Sequence, residues 1–232
     1  MVLLYEGKAK QVYMTDCPDE VIIQFKDDAT AFNGEKKDNF AGKGVMNTRF
    51  TKYFFNILQS QGIKTHIISY LDEISLKAKK VQIFPLEVVV RNYAAGSICK
   101  REGYEKGFKF DQPMCEFFLK DDAKGDPSIS EIEIYDMNLA TEEELEIIRS
   151  TTLKINSIIS SYVEKKGITL VDFKLEFGKT SNGEVILADE ISPDTCRFWV
   201  KGTTESLDKD VYREDKGDLI SSYRRLAEIL GV

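Results

Sequence analysis

The stretch Ile168-Thr-Leu-Val-Asp-Phe-Lys-Leu-Glu-Phe-Gly178 decides the fold of this chain. Apolar and charged side chains alternate strictly along it, and a period of two residues indicates a β-strand. Val171, Phe173, Leu175 and Phe177 point to one face, whereas Asp172, Lys174 and Glu176 point to the other. We therefore predict a strand that buries one face in a core and presents a row of charges on the opposite face.

A β-hairpin is predicted to follow this strand. Asn182 and Gly183 separate it from a second apolar strand that ends in Asp189, and Asn-Gly between two such runs is a strong hairpin signal. With Asn182 and Gly183 as the two central turn residues, the register places Glu176 directly opposite Asp189. Both strands are thus predicted to present a carboxylate on the same face.

These two carboxylates indicate a metal site. Like charges directly opposite each other on two strands are destabilising unless something bridges them. Carboxylate oxygens that converge on one point suit Mg²⁺, which completes its shell with water and substrate phosphate. Glu176 and Asp189 are therefore the predicted metal ligands. The alternative is a solvated charged face on which Lys174 forms a salt bridge.

The composition is that of a globular protein and excludes several classes of partner. The 232 residues carry 32 Lys and Arg against 39 Asp and Glu, a net charge of −7. Because nonspecific nucleic-acid affinity comes mainly from Lys and Arg, this balance argues against a duplex-binding protein. The apolar runs, such as Val88-Val89-Val90, are far shorter than the roughly 20 residues of a membrane helix. With no signal-peptide pattern at the N-terminus, we predict a cytoplasmic protein.

The cysteines and the histidine do not suggest a zinc site. The four cysteines include no Cys-x-x-Cys pair, and the chain has a single histidine, His66. This pattern favours reduced thiols that serve as small apolar side chains. His66 begins an apolar run, and we predict that its role is structural.

The order of the elements predicts an α+β protein with two lobes. Residues 1–82 form a β-rich N-terminal lobe, and residues 83–232 form an α/β lobe that carries the predicted metal site. The boundary lies close to Pro85, which separates two strand patterns, Lys77–Ile83 and Leu86–Tyr93. The segment 106–138 carries mixed turn signals and is assigned no element.

Helical periodicity predicts three helices. One covers Met46 to Leu58, and a second is long, beginning at a capping box of Thr141 and Glu144 and ending at Gly167. A third begins near Asp218. Their apolar stripes are interpreted as core packing.

A glycine with two lysines lies in a strand-turn-strand pattern near the N-terminus. Residues 7–10 are Gly-Lys-Ala-Lys. This is not a Walker A loop, which requires Gly-Lys-Ser/Thr at the start of a helix. A hairpin lid over nucleotide phosphates, as in protein kinases, is the closer analogue. A basic surface turn is commonplace, but together with the carboxylate hairpin it makes half of a Mg-nucleotide cleft.

Two arginines are candidates for anion binding. Arg91 ends a buried strand that runs into a small-residue turn with Ser97, and these two side chains suit a phosphate or carboxylate. Arg197 follows closely on the predicted metal ligands and is expected to point into the same cleft. The alternative for either arginine is an ion pair at the surface of a lobe.

Taken together, these segments closely resemble the SAICAR synthetase family, the phosphoribosylaminoimidazole-succinocarboxamide synthetases of purine biosynthesis. The resemblance covers nearly the whole chain. It is carried by Tyr5-Glu6-Gly7-Lys8-Ala9-Lys10, Val90-Arg91-Asn92, Ala94-Ala95-Gly96-Ser97, the stretch 171–178, Asp189-Glu190-Ile191-Ser192-Pro193-Asp194 and Asp208-Lys209-Asp210.

The resemblance implies a two-lobed α+β fold, related to ATP-grasp and kinase-like architectures, with ATP in a cleft between the lobes. It implies a ligase that joins the carboxylate of carboxyaminoimidazole ribotide to the amine of L-aspartate and splits ATP to ADP and phosphate. ATP and Mg²⁺ are the implied cofactors, and a homodimer is a family-level expectation. The ribotide carboxylate is expected to be activated as an acyl phosphate, because a carboxylate is a poor electrophile.

The resemblance also implies roles for individual residues. The implied nucleotide contacts are Gly7, Lys8, Ala9, Lys10, Val12, Lys79, Ile83 and Lys120. The implied catalytic residues are Lys10, Lys174, Glu176 and Asp189, the last two as magnesium ligands. The implied substrate contacts are Arg91, Ser97, Asp194, Arg197 and Lys209. Asn33 stands where many relatives carry Asp, so it is assigned no charged role.

Two other functions share parts of this pattern. A kinase-like phosphotransferase would use the same cleft, but the sequence lacks the His-Arg-Asp catalytic loop. A noncatalytic nucleotide-binding module would need only the hairpin and the basic turn, and it would leave Arg91, Ser97 and Arg197 without a purpose.

Overall fold

A computed structural model of the chain describes residues 2–31 and 35–232. The strands are β1 (Leu3–Glu6), β2 (Lys10–Met14), β3 (Glu20–Phe25), β4 (Asp28–Ala31), β5 (Lys36–Asn39), β6 (Ile67–Tyr70), β7 (Ser75–Lys79), β8 (Gln82–Ile83), β9 (Leu86–Tyr93), β10 (Lys109–Leu119), β11 (Ile168–Lys179), β12 (Val185–Ala188) and β13 (Cys196–Val200). The α-helices are α1 (Lys43–Ser60), α2 (Ser97–Glu102), α3 (Glu131–Asp136), α4 (Glu142–Glu164), α5 (Asp210–Arg213) and α6 (Leu219–Leu230).

The N-terminal third of the chain forms an antiparallel sheet. Its strand order is β1-β2-β3-β7-β6, and the β4–β5 pair forms a separate two-stranded ribbon. The ribbon is tied to the start of α1, since the Asp27 carboxylate accepts hydrogen bonds from the backbone N–H groups of Gly42 and Gly44. The ribbon therefore has a defined place beside the sheet.

The second sheet is organised around β11, the strand predicted from the alternating stretch. β11 pairs with β9 and β8 along one edge, and with β13 and β12 along the other. Its apolar side chains Phe173, Leu175 and Phe177 are each only 1% exposed, as the alternation predicts. A strand with neighbours on both edges and a fully apolar face is the centre of the fold, and its charged face is available for chemistry.

The predicted helices are confirmed. α1 spans the predicted apolar run, α4 begins with the capping box of Thr141 and Glu144, and the Asp218 side chain caps α6. Phe54 of α1 stacks on Phe198 of β13 with ring centroids 5.7 Å apart. α1 precedes the second sheet in the chain and packs against it. The apolar side chains of both sheets and of these helices form one continuous core.

Two stretches differ from their predicted structure. The segment 106–138, which was assigned no element, contains β10 and α3; a register shift between Lys109 and Met114 interrupts the β10 ladder, and Pro113 lies in that interval. The single strand predicted over Lys77–Ile83 is two strands, since β7 belongs to the first sheet and β8 to the second. Local apolar patterns cannot report that the chain passes from one sheet to the other.

The predicted register of the β11–β12 hairpin is wrong by one residue. Glu176 pairs with Ala188, because the loop contains three residues rather than two. The Thr180 N–H donates to the Glu184 carbonyl at 2.9 Å, the Gly183 N–H donates to the Thr180 carbonyl at 2.9 Å, and Gly183 has φ +83°. This is a three-residue loop with glycine in the left-handed position, the next most common hairpin after the two-residue type.

None of the helices among the described residues is long and apolar enough to cross a membrane.

Candidate active site

A cavity of about 870 Å³ lies between the two sheets. This volume is in the range of small-molecule sites. Val12 and Ile23 of the first sheet line one wall, and Val89 and Phe173 of the second sheet line the other. Every residue that the sequence assigned to the site lines this cavity: Gly7, Lys8, Ala9, Lys10, Val12, Lys79, Ile83, Arg91, Ser97, Lys120, Lys174, Glu176, Asp189, Asp194, Arg197 and Lys209.

Three lysines and two carboxylates form one end of the cavity, which we call the lysine end: Lys10, Lys120, Lys174, Glu176 and Asp189. The Lys174 ammonium lies 2.7 Å from Glu176 Oε1 and 3.8 Å from Asp189 Oδ2. Lys120 contacts the other Glu176 oxygen, Oε2, at 2.5 Å, and Lys10 forms an ion pair with Asp189. Both predicted metal ligands are therefore paired with lysines. One of these pairs is the Lys174 salt bridge that the alternative interpretation predicts.

The positive charge of the lysine end controls the ionisation of Asp189. Burial alone would raise the pKa of Asp189, but the ammonium groups of Lys10 and Lys174 outweigh burial and hold that pKa below its usual range. Burial likewise opposes the charged form of Lys174, yet Glu176, Asp189 and Glu87 raise its pKa well above the ordinary value. Asp189 and Lys174 are therefore both charged at neutral pH.

Asp189 reaches Lys174 although it does not face Glu176 across the hairpin. It follows the last residue of β12 and has φ +59°, a left-handed conformation that aspartate tolerates better than most residues. Since the strand has ended, the side chain no longer follows the alternation of β12. The two carboxylates thus meet at one lysine for a reason that strand register alone does not provide.

Two arginines lie at the opposite end of the cavity. With the residues that contact them we call this the arginine end: Arg91, Ser97, Asp172 and Arg197, which line the cavity, and Asp210, which lies behind Arg197. Asp172 on β11 pairs with Arg91 on β9 and with Arg197 on β13, so one carboxylate lies between two guanidinium groups. Its Oδ2 atom is 3.1 Å from Arg91 Nη1 and 2.9 Å from Arg197 Nη1. The carboxylate thereby holds both arginines on one face of the sheet.

The remaining contacts fix the direction of each guanidinium. Arg91 Nη2 is 3.3 Å from Ser97 Oγ, and Arg197 Nε donates to Asp210 Oδ2 at 2.7 Å. Burial disfavours the charged form of Arg197, but Asp172 and Asp210 raise its pKa further above its usual range. Gly96 has φ +65°, and a Cβ atom built on it lies 2.8 Å from Arg197 Cζ, so glycine leaves the room that this guanidinium occupies.

Comparison with known proteins gives the family. The family model for SAICAR synthetase matches residues 3–230. The phosphoribosylaminoimidazole-succinocarboxamide synthase of Coprothermobacter proteolyticus is 52% identical over 229 residues, which are 99% of this chain and 97% of that protein. The chain belongs to the SAICAR synthetase family.

Solved structures of SAICAR synthetases share the fold. A type 2 SAICAR synthetase in complex with ADP has a TM-score of 0.94 at 48% identity, covering 97% of this chain and 96% of that one. The phosphoribosylaminoimidazole-succinocarboxamide synthase from Ehrlichia chaffeensis has a TM-score of 0.96 at 45% identity, covering 99% and 98%. The α+β fold predicted from the sequence is therefore confirmed, whereas the relation to ATP-grasp and kinase-like architectures stays a prediction.

Membership in the SAICAR synthetase family establishes the reaction. The chain is an ATP-dependent ligase of purine biosynthesis, and its substrates are small molecules, carboxyaminoimidazole ribotide and L-aspartate. This confirms the activity predicted from the sequence. It also replaces the two other candidate functions, a phosphotransferase and a noncatalytic module.

Asp194 and Lys209, implied as substrate contacts of the SAICAR synthetase, belong to a buried cluster. Asp194 Oδ2 lies 2.5 Å from the ammonium of Lys43, and its Oδ1 accepts a hydrogen bond of 2.5 Å from Tyr223 Oη. Lys209 is farther away, with its ammonium 3.7 Å from Asp194 Oδ2, and burial lowers its pKa. Lys209 is therefore less firmly paired than Lys43, and it lines the cavity of the synthetase.

Sequence reasoning assigned no role to several charged residues of this site, among them Asp210 of the arginine end. Asp172 was placed on the charged face of its strand but was given no role, and Glu190, whose Oε1 lies 2.6 Å from the Lys10 ammonium, was overlooked. Lys43 is fully buried in the first turn of α1, although a cation is disfavoured at a helix N-terminus. That conflict is a signal that points to a buried anionic partner.

Asn33 lies outside the described residues.

The single histidine of the synthetase lies beside the lysine end. His66 is 2% exposed and lines the cavity, and its ring packs edge-on against Phe55 at 5.7 Å. Burial lowers its pKa to about 4. The imidazole is therefore neutral at physiological pH, and it adds no charge to the cavity.

The lysine end offers two carboxylates as ligands for magnesium. Glu176 and Asp189 both line the cavity and share Lys174, but no group of three or more His, Cys, Asp or Glu side chains suited to a metal ion occurs within residues 2–31 and 35–232. Mg²⁺ commonly takes one or two carboxylates and completes its shell with water and substrate phosphates. Two carboxylates therefore fit an ion that arrives with ATP.

Proposed function

We propose that the synthetase binds Mg-ATP at the lysine end and the ribotide at the arginine end, with the transferred phosphoryl group between them. The observation that carries this proposal is the spacing along β11. Asp172 and Glu176 are about 13 Å apart along the strand, and Lys174 lies midway between them. The Lys174 side chain is thus within reach of a nucleotide phosphate at the lysine end and of the ribotide at the arginine end.

The residue types at each end support the assignment. Arginine presents a planar fork that matches a phosphate or carboxylate, and Arg91 and Arg197 with Ser97 suit the anionic ribotide. Lysine is a flexible point charge, and Lys10, Lys174 and Lys120 suit the β- and γ-phosphates of ATP, which change position during transfer. The relative solved with ADP supports the use of ATP by this chain.

The nucleotide itself is proposed to lie under the β1–β2 turn. This turn is closed by a 2.8 Å hydrogen bond from the Gly7 N–H to the Lys10 carbonyl, and its residues line the cavity. Val12 offers an apolar surface for the base, and Lys79 and Ile83 flank the passage from the first sheet to the second. Val12, Lys79 and Ile83 all line the cavity. With the base beside them, the phosphates are proposed to lie at the lysine end.

Glu176 and Asp189 are proposed to hold the magnesium ion, which would neutralise negative charge on the phosphates. To do so, both carboxylates must exchange their lysine partners. The released ammonium groups of Lys10, Lys120 and Lys174 are then free to contact the phosphates. The ion pairs of this end are therefore interpreted as a resting arrangement.

The reaction is proposed to proceed through an acyl phosphate. A ribotide carboxylate oxygen attacks the γ-phosphorus, and the bond from that phosphorus to the β–γ bridging oxygen breaks, releasing ADP. The aspartate amine then attacks the acyl carbon, the carbon–oxygen bond to phosphate breaks, and the nitrogen loses a proton. Phosphoryl transfer depends on positioning and electrostatics, so the cations of the cavity suffice without a histidine.

Isotope transfer tests this pathway. With labelled oxygen in the ribotide carboxylate, one labelled atom is expected in the inorganic phosphate that is released. Label that remains wholly in the product would rule out the acyl phosphate. Arg197→Lys tests the placement of the ribotide separately, since it is expected to weaken ribotide binding more than ATP binding, and equal losses would contradict the assignment.

Three further expectations stay predictions for this synthetase. They are the division into lobes at residues 82 and 83, a cytoplasmic location and a homodimer. β8, at the predicted boundary, pairs with β11 and so supports a division just before it.

A further inference from the structure

α5 is a single helical turn that carries part of the arginine end. It contains Asp210, which binds Arg197, and Arg213, which lines the cavity together with Lys209, the residue just before the helix. One turn of helix has little stability of its own, because nucleation fixes several residues for one hydrogen bond. The position of α5 must therefore come from tertiary contacts.

Tyr212 makes the contacts that join α5 to the β4–β5 ribbon. Its hydroxyl donates to Asp38 Oδ2 at 2.8 Å, and its ring packs edge-on against Phe40 with centroids 5.3 Å apart. The Lys36 ammonium lies 4.3 Å from the ring centroid and donates to the Tyr212 carbonyl at 2.7 Å. Three ribbon or ribbon-end residues thus hold one buried tyrosine.

The ribbon is itself fixed to the other half of the site. Phe40 donates its N–H to the Asp27 carbonyl at 2.9 Å, and the Asp27 carboxylate binds the start of α1. Asp28 and Thr30 of the ribbon line the cavity. The ribbon therefore connects the first sheet to α5, and Tyr212 is the side chain at the junction.

We propose that Tyr212 is a positioning residue for the ribotide. By fastening α5 to the ribbon, it keeps Asp210 on Arg197 and so holds the guanidinium in its binding direction. This inference rests on the proposed assignment of the arginine end to the ribotide. Tyr212 does not line the cavity, so it acts through Asp210 and not through contact with a substrate.

Steady-state kinetics of Tyr212→Phe test the inference. The variant keeps the ring on Phe40 and under Lys36 but loses the bond to Asp38. The KM for the ribotide is expected to rise about three- to tenfold, because hydrogen bonds to charged groups are among the stronger ones. The KM for ATP and kcat are expected to change less than about twofold, because the lysine end is untouched.

Tyr53→Phe is the matched control. The Tyr53 hydroxyl donates to the Leu230 carbonyl at 2.7 Å, at the junction of α1 and α6. Tyr53 does not line the cavity. This variant loses a similar bond, so it is expected to lower Tm without changing either KM. A rise in ribotide KM for the control as large as that for Tyr212→Phe would overturn the inference.

A double-mutant cycle with Asp38 makes the result decisive. Asp38→Asn keeps an acceptor oxygen and is expected to be milder than Asp38→Ala, and Asp38→Ala with Tyr212→Phe is expected to be no worse than either alone. Additive losses, an unchanged ribotide KM in folded Tyr212→Phe, or equal rises for both substrates would each overturn the role. If Arg197→Lys also leaves ribotide binding intact, the proposed site fails; if only Tyr212→Phe does, the inference alone fails.

Discussion

The two ends of the cavity hold their cations in opposite ways. At the lysine end, Lys10, Lys120 and Lys174 are paired with the two carboxylates that we assign to magnesium. At the arginine end, both guanidinium groups share Asp172, a residue for which we propose no ligand role. On the proposed assignment, the ion pairs of the lysine end are exchanged when Mg-ATP binds, whereas those of the arginine end are kept.

This difference follows from the chemistry of the side chains. An ammonium group is a compact charge on a flexible stem, so it moves from a carboxylate to a phosphate at little geometric cost. A guanidinium group binds through a fixed fork, and a carboxylate that holds one side of the fork leaves its other N–H groups aimed at the cavity. The lysine end is thus suited to transfer and the arginine end to recognition.

Glu176→Gln is expected to have the largest effect, since it removes the charge for which the lysine end is arranged. Turnover is expected to fall roughly a hundred- to a thousandfold, as for the loss of one group that stabilises transition-state charge. The rise in Tm on adding Mg-ATP, which reports binding to the folded state, is expected nearly to vanish. Steady-state assays and thermal melts with and without Mg-ATP measure both effects.

Glu87→Gln is the control for this substitution, because Glu87 also contacts Lys174, at 3.0 Å, but is not assigned to the metal. It is expected to keep most of the Mg-ATP shift. Since two lysines hold Glu176, the ligand-free Glu176→Gln protein is expected to melt earlier than the wild type. A Glu176→Gln protein that keeps the full Mg-ATP shift would show that the carboxylate belongs to a structural ion-pair network.

Arg91→Lys is expected to have an intermediate effect, confined to the arginine end. Lysine keeps the charge but loses the fork that spans Glu116, Asp172 and Ser97. The KM for the ribotide is expected to rise about ten- to a hundredfold with little change in the KM for ATP. Lys10→Ala is expected to show the reverse preference, and equal losses for both substrates in either variant would remove the distinction between the ends.

His66→Phe is expected to have the smallest effect at neutral pH and to show itself only in acid. The pKa of the buried imidazole is about 4, below its ordinary value of about 6.5, so between these limits the unfolded chain binds a proton that the folded chain does not. Stability therefore falls as the pH drops through this window. Between pH 7 and pH 5, the free energy of unfolding of the wild type is expected to fall by about 2 kcal/mol more than that of His66→Phe.

Chemical denaturation of both proteins at several pH values measures this difference. His66 is the only histidine in the chain, so its contribution can be separated from that of the carboxylates. Identical pH profiles for the two proteins would mean that the imidazole is hydrated and can be charged inside the fold, and the lysine end would then carry a further cation below neutral pH.

Much of the fold was predictable because it depends on short-range patterns. The alternation of β11, the capping box of Thr141 and Glu144 and the cap at Asp218 are properties of residues close in the chain, and each appears as predicted. β10 was missed because its ladder is interrupted, which removes the regular alternation that identifies a strand. The hairpin register was missed because a three-residue and a two-residue loop share the Asn-Gly signal.

The sequence by itself identified sixteen residues that line the site, since the order of motifs resembles one family and each motif supplies its own side-chain chemistry. It did not identify Asp172 or Glu190 as members of the site. Only the tertiary structure decided how those residues are paired. Asp172 lies between Arg91 and Arg197 because β9 and β13 flank β11, and Tyr212 reaches Asp38 because the ribbon lies against α5. Such pairings join residues up to 179 positions apart, as between Lys10 and Asp189, and their energies come from packing and desolvation that no local pattern records.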